Sequence, residues 1–318
     1  MIKRKKIVVI GGGTGTFTVL SGLKKYPVDL TAIVSMADDG GSTGVLREEF
    51  GILPTGDIRR ALVALSSYPE KFLVDLFTYR FHEGGVNGHN FGNLILAALE
   101  RVTGNFENAV AAASRLLDVH GMVLPVTFSN IRLYAELENG NVIKGETNID
   151  IPKHDGNLRI TRLWLQPQGR ANPRALKAIQ DADMAVVGPG DIFTSIIPNF
   201  LVSGVRDALY KTRAKKVYVM NLMTKHGETN GFSGADFLSV LDRYVGKDIF
   251  DMVLVNNVRP PEDILRRYKK ERAEWVSSEK AEQFLKGKLH FVKAALLRRG
   301  NYARHDPNKL AKALMNML

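Results

Sequence analysis

The chain of 318 residues contains no cysteine, which excludes disulfides, thiolate metal sites and thiol nucleophiles. It also has no apolar run near the roughly 18 residues that a membrane-spanning helix needs. The apolar run from Ile7 to Ile10 is too short to be the core of a secretory signal. Internal repeats and low-complexity tracts are absent as well. Together these absences predict a cytoplasmic protein with no membrane span.

Basic side chains outnumber acidic ones by 44 to 33, for a net charge of +11. The excess is concentrated in a basic C-terminal segment at about residues 258–318. Such a balance suits phosphorylated ligands, anionic lipid or nucleic acid. Nucleic-acid binding is not expected here, because we find neither a reading module nor aromatic residues interleaved with the basic patch.

Short buried strands alternate with helical patterns along most of the chain. This alternation predicts an α/β fold with a doubly wound, mostly parallel, Rossmann-like sheet. Between about residues 123 and 165 the period shifts to two, and Asn139-Gly140 supplies a hairpin turn, which predicts an antiparallel β excursion. We expect residues 1–318 to form a single nucleotide-binding domain. The predicted parallel strands are Lys6 to Ile10, Leu30 to Val34, Met184 to Val187, Lys216 to Met220 and Met252 to Asn256.

Two glycine-rich loops follow predicted strands and open helices. Backbone amides at such a position bind anions, and two of these loops in one sheet suit a diphosphate. The first loop fails the dinucleotide fingerprint because Thr16 stands where a third glycine belongs, and a tight turn without ligand is its alternative reading. The candidate ligand-binding residues of the two loops are Gly11, Gly12, Gly13, Thr14, Gly15, Gly188, Gly190, Thr194 and Ser195.

Three carboxylates lie close to these loops in the sequence. Asp38 and Asp39 follow the second strand, where they can bind Mg²⁺ that bridges to phosphate or accept hydrogen bonds from sugar hydroxyls. Their alternative role is to cap a turn or the next helix. Asp57 begins a predicted helix, so an N-cap role is expected first and a ligand contact second.

Polar residues on further loops complete the candidate set. His89 and Asn93 open one helix, and neither belongs to a spacing typical of a transition-metal site. Asn221 and Thr224 lie in a long polar loop after a strand, and such loops are usually functional. Lys225 or His226 in that loop can neutralise a phosphate.

Ordered sequence motifs over nearly the whole chain resemble the YvcK-type proteins, also called gluconeogenesis factors. This family is related to the 2-phospho-L-lactate transferases of deazaflavin cofactor synthesis. The matching motifs are GGGTG at 11–15, ADDGGSTG at 37–44, PTGDIR at 54–59, GHNFGN at 88–93, VLP at 123–125, GPGDIFTSIIPN at 188–199, GETNGF at 227–232 and RHDPNKLA at 304–311.

The resemblance implies a cytoplasmic protein that binds UDP-activated sugars such as UDP-N-acetylglucosamine. It implies a role in cell-wall supply and cell shape during gluconeogenic growth, and it places the family's ligand-contacting tyrosine and arginine at Tyr268 and Arg304. Three positions depart from the family pattern. Asp191 replaces a usual serine, Lys225 replaces a frequent glutamine, and His226 replaces a frequent proline.

Three functions follow as hypotheses, of which the third, a nucleic-acid or anionic-surface binder that uses the basic C-terminal face, is the least favoured. The first is a sugar-nucleotide sensor that acts through a regulatory protein partner. The second is a Mg²⁺-dependent transferase of phosphorus-containing groups that uses Asp38 or Asp39. The sensor is favoured because no paired acid and base or activated nucleophile can be placed from the sequence. A UDP-sugar, a regulatory protein and a second copy of the chain are the partners that this interpretation allows.

Overall fold

The computed structural model describes residues 4–67, 71–277 and 289–318. Residues 278–288 of the basic C-terminal segment therefore lie outside the described residues. The main sheet has seven strands, all parallel, in the order β10-β9-β8-β7-β1-β2-β3. Its strands are β1 (Lys5–Gly11), β2 (Val28–Val34), β3 (Met122–Pro125), β7 (Met184–Val187), β8 (Lys215–Val219), β9 (Met252–Asn256) and β10 (His290–Ala294).

Thirteen α-helices are described around the sheets. Because the central strands are covered on both faces, they read as continuous apolar runs, and Ile7, Val9 and Ile10 of β1 have no exposed surface. The helices are α1 (Gly13–Leu23), α2 (Gly41–Phe50), α3 (Gly56–Leu65), α4 (Lys71–Thr78), α5 (Phe91–Thr103), α6 (Phe106–Leu116), α7 (Glu146–Asp150), α8 (Pro173–Asp181), α9 (Ile197–Leu201), α10 (Val205–Lys211), α11 (Gly234–Tyr244), α12 (Glu262–Lys270) and α13 (Pro307–Met315).

The strand order reverses direction beside β1. The chain proceeds from β1 to β2 and β3 on one side, whereas β7 pairs with β1 on the other. Ligands of open α/β sheets bind outside the carboxyl ends of the strands at such a switch point. The loops that leave β1 and β7 are the two glycine-rich loops, so the fold places them side by side.

A separate three-stranded antiparallel sheet forms the predicted β excursion. It contains β4 (Arg132–Leu137), β5 (Val142–Lys144) and β6 (Ile160–Gln166), in the order β5-β4-β6. The predicted start at 123 is wrong, because Val123 lies in β3 and pairs in parallel with Ala32 of β2. The insertion begins after Pro125, and helix α7 follows β5 within it.

None of the helices in the described part of the chain is both long and apolar enough to cross a membrane.

Candidate functional site

Two neighbouring cavities lie at the carboxyl edge of the parallel sheet. One, of about 460 Å³, is lined by the β1 loop, by Asp38 and Asp57, and by Ser195. The other, of about 660 Å³, is lined by the loop after β8 and by the C-terminal segment. Both volumes fall in the range of small-molecule sites. The residues that line both cavities are Thr14, Gly15, Asp150, Ile151 and Asp191.

The two glycine loops touch each other at the switch point. A Cβ at Gly15 would lie 1.8 Å from the carbonyl oxygen of Pro189, and a Cβ at Gly12 would lie 3.5 Å from that of Ser195. Gly13 has φ +63°, a conformation that favours glycine. Because Gly13, Thr14 and Gly15 form the first turn of α1, their amides have no acceptor within the helix.

The carboxylate of Asp57 lies at the amino end of helix α1 and places a negative charge there. Its Oδ1 accepts a hydrogen bond from the Gly13 amide at 2.9 Å and lies 3.3 Å from Nη1 of Arg60. The prediction that Asp57 caps its own helix is wrong, because Thr55 is the N-cap of α3 and the Asp57 carboxylate reaches α1 instead. Burial raises the pKa of Asp57 to about 6, against the opposing charge of Arg60. A ligand phosphate at the Gly13 amide must compete with this carboxylate.

The loop after β7 enters its helix through a π-helical turn at Ile192–Ile196, three residues before the predicted start at Ser195. Turns of this type recur at functional sites. Ser195 lines the smaller cavity. Thr194 is buried, and its hydroxyl donates to Oε1 of Glu228 at 3.3 Å, so this side chain does not line either cavity.

Lys225 is surrounded by carboxylates. Its Nζ pairs with Asp150, lies 2.9 Å from Oδ2 of Asp191 and lies 3.1 Å from Oε1 of Glu228. Burial alone would lower the pKa of Lys225, but the three carboxylates outweigh it and raise the pKa. Burial and the charge of Asp191 raise the pKa of Glu228 to about 8. Lys225 is thus already neutralised by the protein.

The same three carboxylates are the one acidic group in the described ranges whose oxygens, all within 4.8 Å of each other, could hold a metal ion. The Lys225 ammonium already supplies the cation at this position. Of the predicted Mg²⁺ ligands, Asp38 lines the smaller cavity while its Oδ1 accepts from the Gly40 amide at 3.0 Å. The carboxylates therefore do not form a prearranged magnesium site.

Asp39 holds the inserted sheet rather than lining the cavities. Its Oδ1 accepts from the Thr147 amide at 2.9 Å, and its Oδ2 lies 3.9 Å from Arg132. The buried guanidinium of Arg47 donates to the carbonyl oxygens of Asp38 and Ile131 at 2.8 and 2.7 Å. The insertion is in this way fixed to the loop after β2.

Sequence reasoning missed Glu146 and Asp150 of α7, which line the smaller cavity. Burial, followed by the charge of Asp38, raises the pKa of Glu146 to about 9. It also missed Arg59, a cavity-lining residue whose Nε donates to Oδ1 of Asn93 at 3.0 Å. Arg59 stood in a quoted motif, but the five-residue helix α7 carries no local signal that could have found its two carboxylates.

The larger cavity contains the aromatic and cationic residues of the C-terminal segment. Tyr268 and Arg304 both line it, and Arg304 has no carboxylate partner among the described residues. The Arg304 guanidinium lies 5.5 Å from the ring centre of Tyr302, and that of Arg267 lies 5.1 Å from the same ring. Tyr302 therefore lies beside the Arg304 guanidinium, whose positive charge remains available to an anion.

The structure brings most of the sequence-predicted residues to one continuous cleft, which consists of the two cavities. Five predicted residues do not line it. His89 contacts Ser42 at 3.2 Å, Gly11 ends β1, Gly188 directly follows β7, and the contacts of Asp39 and Thr194 are those given above. Asn221 and Thr224 line the larger cavity, and Asn221 donates to the carbonyl oxygen of Gly190 at 2.8 Å. The predicted residues that line the cleft are Gly12, Gly13, Thr14, Gly15, Asp38, Asp57, Asn93, Gly190, Ser195, Asn221, Thr224, Tyr268 and Arg304.

Comparison with known proteins identifies relatives over the full length. Residues 7–297 match the family model described as 2-phospho-L-lactate transferase CofD. The "Gluconeogenesis factor" of Bacillus subtilis is 42% identical over 321 residues, covering 100% of this chain and 99% of the relative. That of Halalkalibacterium halodurans is 40% identical over 316 residues, covering 99% and 97%.

A solved structure has the same fold. The crystal structure of a member of the UPF0052 family from Bacillus halodurans superposes with a TM-score of 0.93 at 38% identity, covering 99% of this chain and 100% of that one. Full-length identity, the family match and the shared fold agree with one another. The chain therefore belongs to the CofD-type family of gluconeogenesis factors.

Proposed function

We propose that the cleft binds a sugar nucleotide of the UDP-N-acetylglucosamine type, and that the protein acts as a cytoplasmic regulator of gluconeogenic growth, cell-wall supply and cell shape. The observation that carries this proposal is the junction of the two cavities at Thr14 and Gly15, on the amides that open α1. A diphosphate at this junction would direct one end of the ligand into each cavity.

The chemistry of each cavity suits one end of such a ligand. In the larger cavity the Tyr268 ring can stack on uracil, and Arg304 can pair with the diphosphate through two parallel hydrogen bonds. In the smaller cavity Asp38, Glu146 and Asn93 offer oxygen and nitrogen atoms to sugar hydroxyls. Binding of the ligand would be communicated to a regulatory protein partner.

A second candidate is a Mg²⁺-dependent transferase, favoured by the carboxyl groups of Asp38, Asp57, Glu146 and Asp150 in the smaller cavity. Mg²⁺ can be held by a single carboxylate together with substrate phosphates, and Asp38 could supply that ligand. The ion would then neutralise the transferring phosphorus group. The sensor remains the better supported function, because Asp39 and the Lys225 carboxylates are already engaged by protein groups.

Titration calorimetry with UDP-N-acetylglucosamine, with and without Mg²⁺, tests both functions. A sensor should bind without metal and release no UMP. Arg304→Ala should weaken binding by about ten- to a hundredfold, as expected for the loss of charge-assisted hydrogen bonds. The exposed Arg299 of the same segment provides the matched control, and Arg299→Ala should bind as the wild type does.

Other outcomes decide against the sensor. A strict requirement for Mg²⁺ with release of UMP would favour the transferase, and absence of binding under both conditions would remove both candidates. The regulatory role is tested separately in cells. A strain that carries Arg304→Ala at normal protein levels should fail on gluconeogenic carbon sources, and normal growth of this strain would contradict the link between ligand and output.

A further inference from the structure

A second cleft, of about 880 Å³, lies at the opposite edge of the parallel sheet from the nucleotide cleft. It is formed by the amino ends of β1, β2 and β3 together with helix α8. Because ligands of open α/β sheets ordinarily bind at the carboxyl edge, the fold alone does not account for a cleft of this size here.

The floor of this amino-edge cleft is one face of the sheet. The strand register places Val8 beside Thr31 and Thr31 beside Met122, and Leu124 lies two residues further along β3 on the same face. Val8 and Leu124 are almost fully buried, so the floor is apolar. Helix α8 provides a wall that includes Ala178 and Lys177.

A hydroxyl stands in the middle of this apolar floor. The side chain of Thr31 is 6% exposed and lines the cleft, and its hydroxyl makes no hydrogen bond within the described residues. The hydroxyl oxygen is not among the fully buried polar atoms that lack a partner, so it is open to the cleft. A polar ligand atom that lies over the floor could pair with it.

The rim of the cleft is predominantly basic. Among its ionic side chains Lys177 pairs with Asp181 at 3.2 Å and Arg174 pairs with Glu107 at 2.8 Å, but these are exposed pairs that retain little net stabilisation. Asp29 is the remaining acidic group in the lining. The other basic residues of the rim are Arg4, Lys6 and Lys24, with His120 beside them.

We propose that this amino-edge cleft is a second binding site, for a small amphipathic anion with an apolar body and a carboxylate or phosphate head group. The body would cover the exposed Met122 side chain beside the floor, and the head group would lie among the basic residues of the rim. This site is separate from the nucleotide cleft and does not depend on the proposed function.

The probe for this site is 8-anilinonaphthalene-1-sulfonate, an aromatic body with an anionic group whose fluorescence increases on binding. We expect saturable binding of one probe per chain. Octanoate and octyl phosphate should each displace it, and the better competitor identifies the head group. Octanol and inorganic phosphate, which carry only half of the required chemistry, should compete at least tenfold less well.

Two variants locate the probe. Ala178→Trp should fill the cleft and abolish saturable binding, whereas the exposed Lys177→Glu should weaken it about three- to tenfold through charge alone. Lys247→Glu, an exposed lysine outside the lining, is the matched control and should bind normally. Thermal melts followed by circular dichroism must show that each variant is folded.

Three results would overturn the proposal. The first is normal probe binding by both folded variants of the cleft. The second is displacement by octanol as effective as by octanoate, which would indicate an apolar surface without anion recognition. The third is displacement by UDP-N-acetylglucosamine, which would place the probe in the nucleotide cleft. Failure of the wild type to bind UDP-N-acetylglucosamine would leave this proposal standing, since that result concerns the other edge of the sheet.

Discussion

Lys225 and Asp191 form an ion pair in which Nζ lies 2.9 Å from Oδ2. These are two of the three positions at which the chain departs from the sequence pattern of the gluconeogenesis factors it resembles. A carboxylate in the glycine-rich loop after β7 would repel an anion, but the lysine neutralises it together with Asp150 and Glu228. The two departures are therefore a single compensated change.

This compensation predicts a non-additive pair of substitutions. Lys225→Gln leaves the almost fully buried Glu228 and two further carboxylates without a cation, and should lower the free energy of unfolding by about 2 kcal/mol. In an Asp191→Ser background the same change should cost about 1 kcal/mol less, because one negative charge is gone.

Urea unfolding of the four proteins measures this coupling. The exposed pair of Arg259 and Glu262, at 2.7 Å, is the control, and Arg259→Gln should cost less than about 0.5 kcal/mol. Strictly additive effects of Lys225→Gln and Asp191→Ser would show that the pair carries no specific interaction energy.

Glu146 predicts a pH dependence of stability. Its pKa is raised from 4.5 to about 9 by burial and then by Asp38, so the folded state binds more protons than the unfolded state between these values. Stability must then fall as the pH rises through this window. The Glu146→Gln side chain has no proton to lose. The variant should have the same free energy of unfolding as the wild type at pH 4 and one higher by on the order of 1 kcal/mol at pH 8.

Unfolding curves collected from pH 4 to pH 8 test this sign. Glu49 is an exposed glutamate without an ion pair in the described part of the chain, and Glu49→Gln should follow the wild-type profile. A Glu146→Gln variant that is equally or less stable than the wild type at pH 8 would be inconsistent with a protonated Glu146.

The sequence was sufficient for features that depend on local patterns. Continuous apolar runs predicted β1 and β7, and the glycine loops after them predicted the edge of the sheet at which the cleft lies. The partner of Asp57 was not predictable in this way. Its acceptor role for Gly13 depends on how α3 packs against α1, a contact between residues 44 positions apart.

The inserted sheet shows the same limit of prediction from local sequence patterns. Its alternating pattern and the Asn139-Gly140 turn were visible, but α7 reaches the cavity only because Asp39 holds the Thr147 amide and Arg47 holds Ile131. These bonds join distant segments, and no spacing within 146–150 encodes them. Parallel pairing of β3 was missed for a similar reason, since four residues are too few to show a period.

Asp57 predicts an unusual gain in ligand affinity. The Asp57 carboxylate already accepts a hydrogen bond from the Gly13 amide at 2.9 Å. A diphosphate that binds this amide would therefore be repelled by the negative charge of Asp57. Asp57→Asn retains an oxygen acceptor and removes the charge, so UDP-N-acetylglucosamine should bind about two- to tenfold more tightly at pH 8. Calorimetry at pH 5 should show a smaller difference, because Asp57, with a pKa of about 6, is then largely neutral in the wild type.

Gly15 predicts a severe loss of stability. A Cβ there would lie 1.8 Å from the backbone oxygen of Pro189, which cannot move without separating the two loops. Gly15→Ala should therefore lower the free energy of unfolding by about 3 kcal/mol or more. Gly51, with φ +66° and nothing within 4 Å of an added Cβ, is the control, and Gly51→Ala should cost only about 1 kcal/mol. Equal costs in urea unfolding would contradict the close approach of the loops.

Tyr302 predicts a positioning effect on ligand binding. Its ring, 48% exposed, lies beside the guanidinium groups of Arg304 and Arg267, and a cation over an exposed aromatic face gains about 0.5 to 1 kcal/mol. Tyr302→Leu should weaken UDP-N-acetylglucosamine about two- to fivefold, whereas Tyr302→Phe keeps the ring and should bind normally. In an Arg304→Ala background, Tyr302→Leu should have no further effect, because its influence passes through the arginine. An equal loss in both backgrounds would mean that Tyr302 contacts the ligand itself.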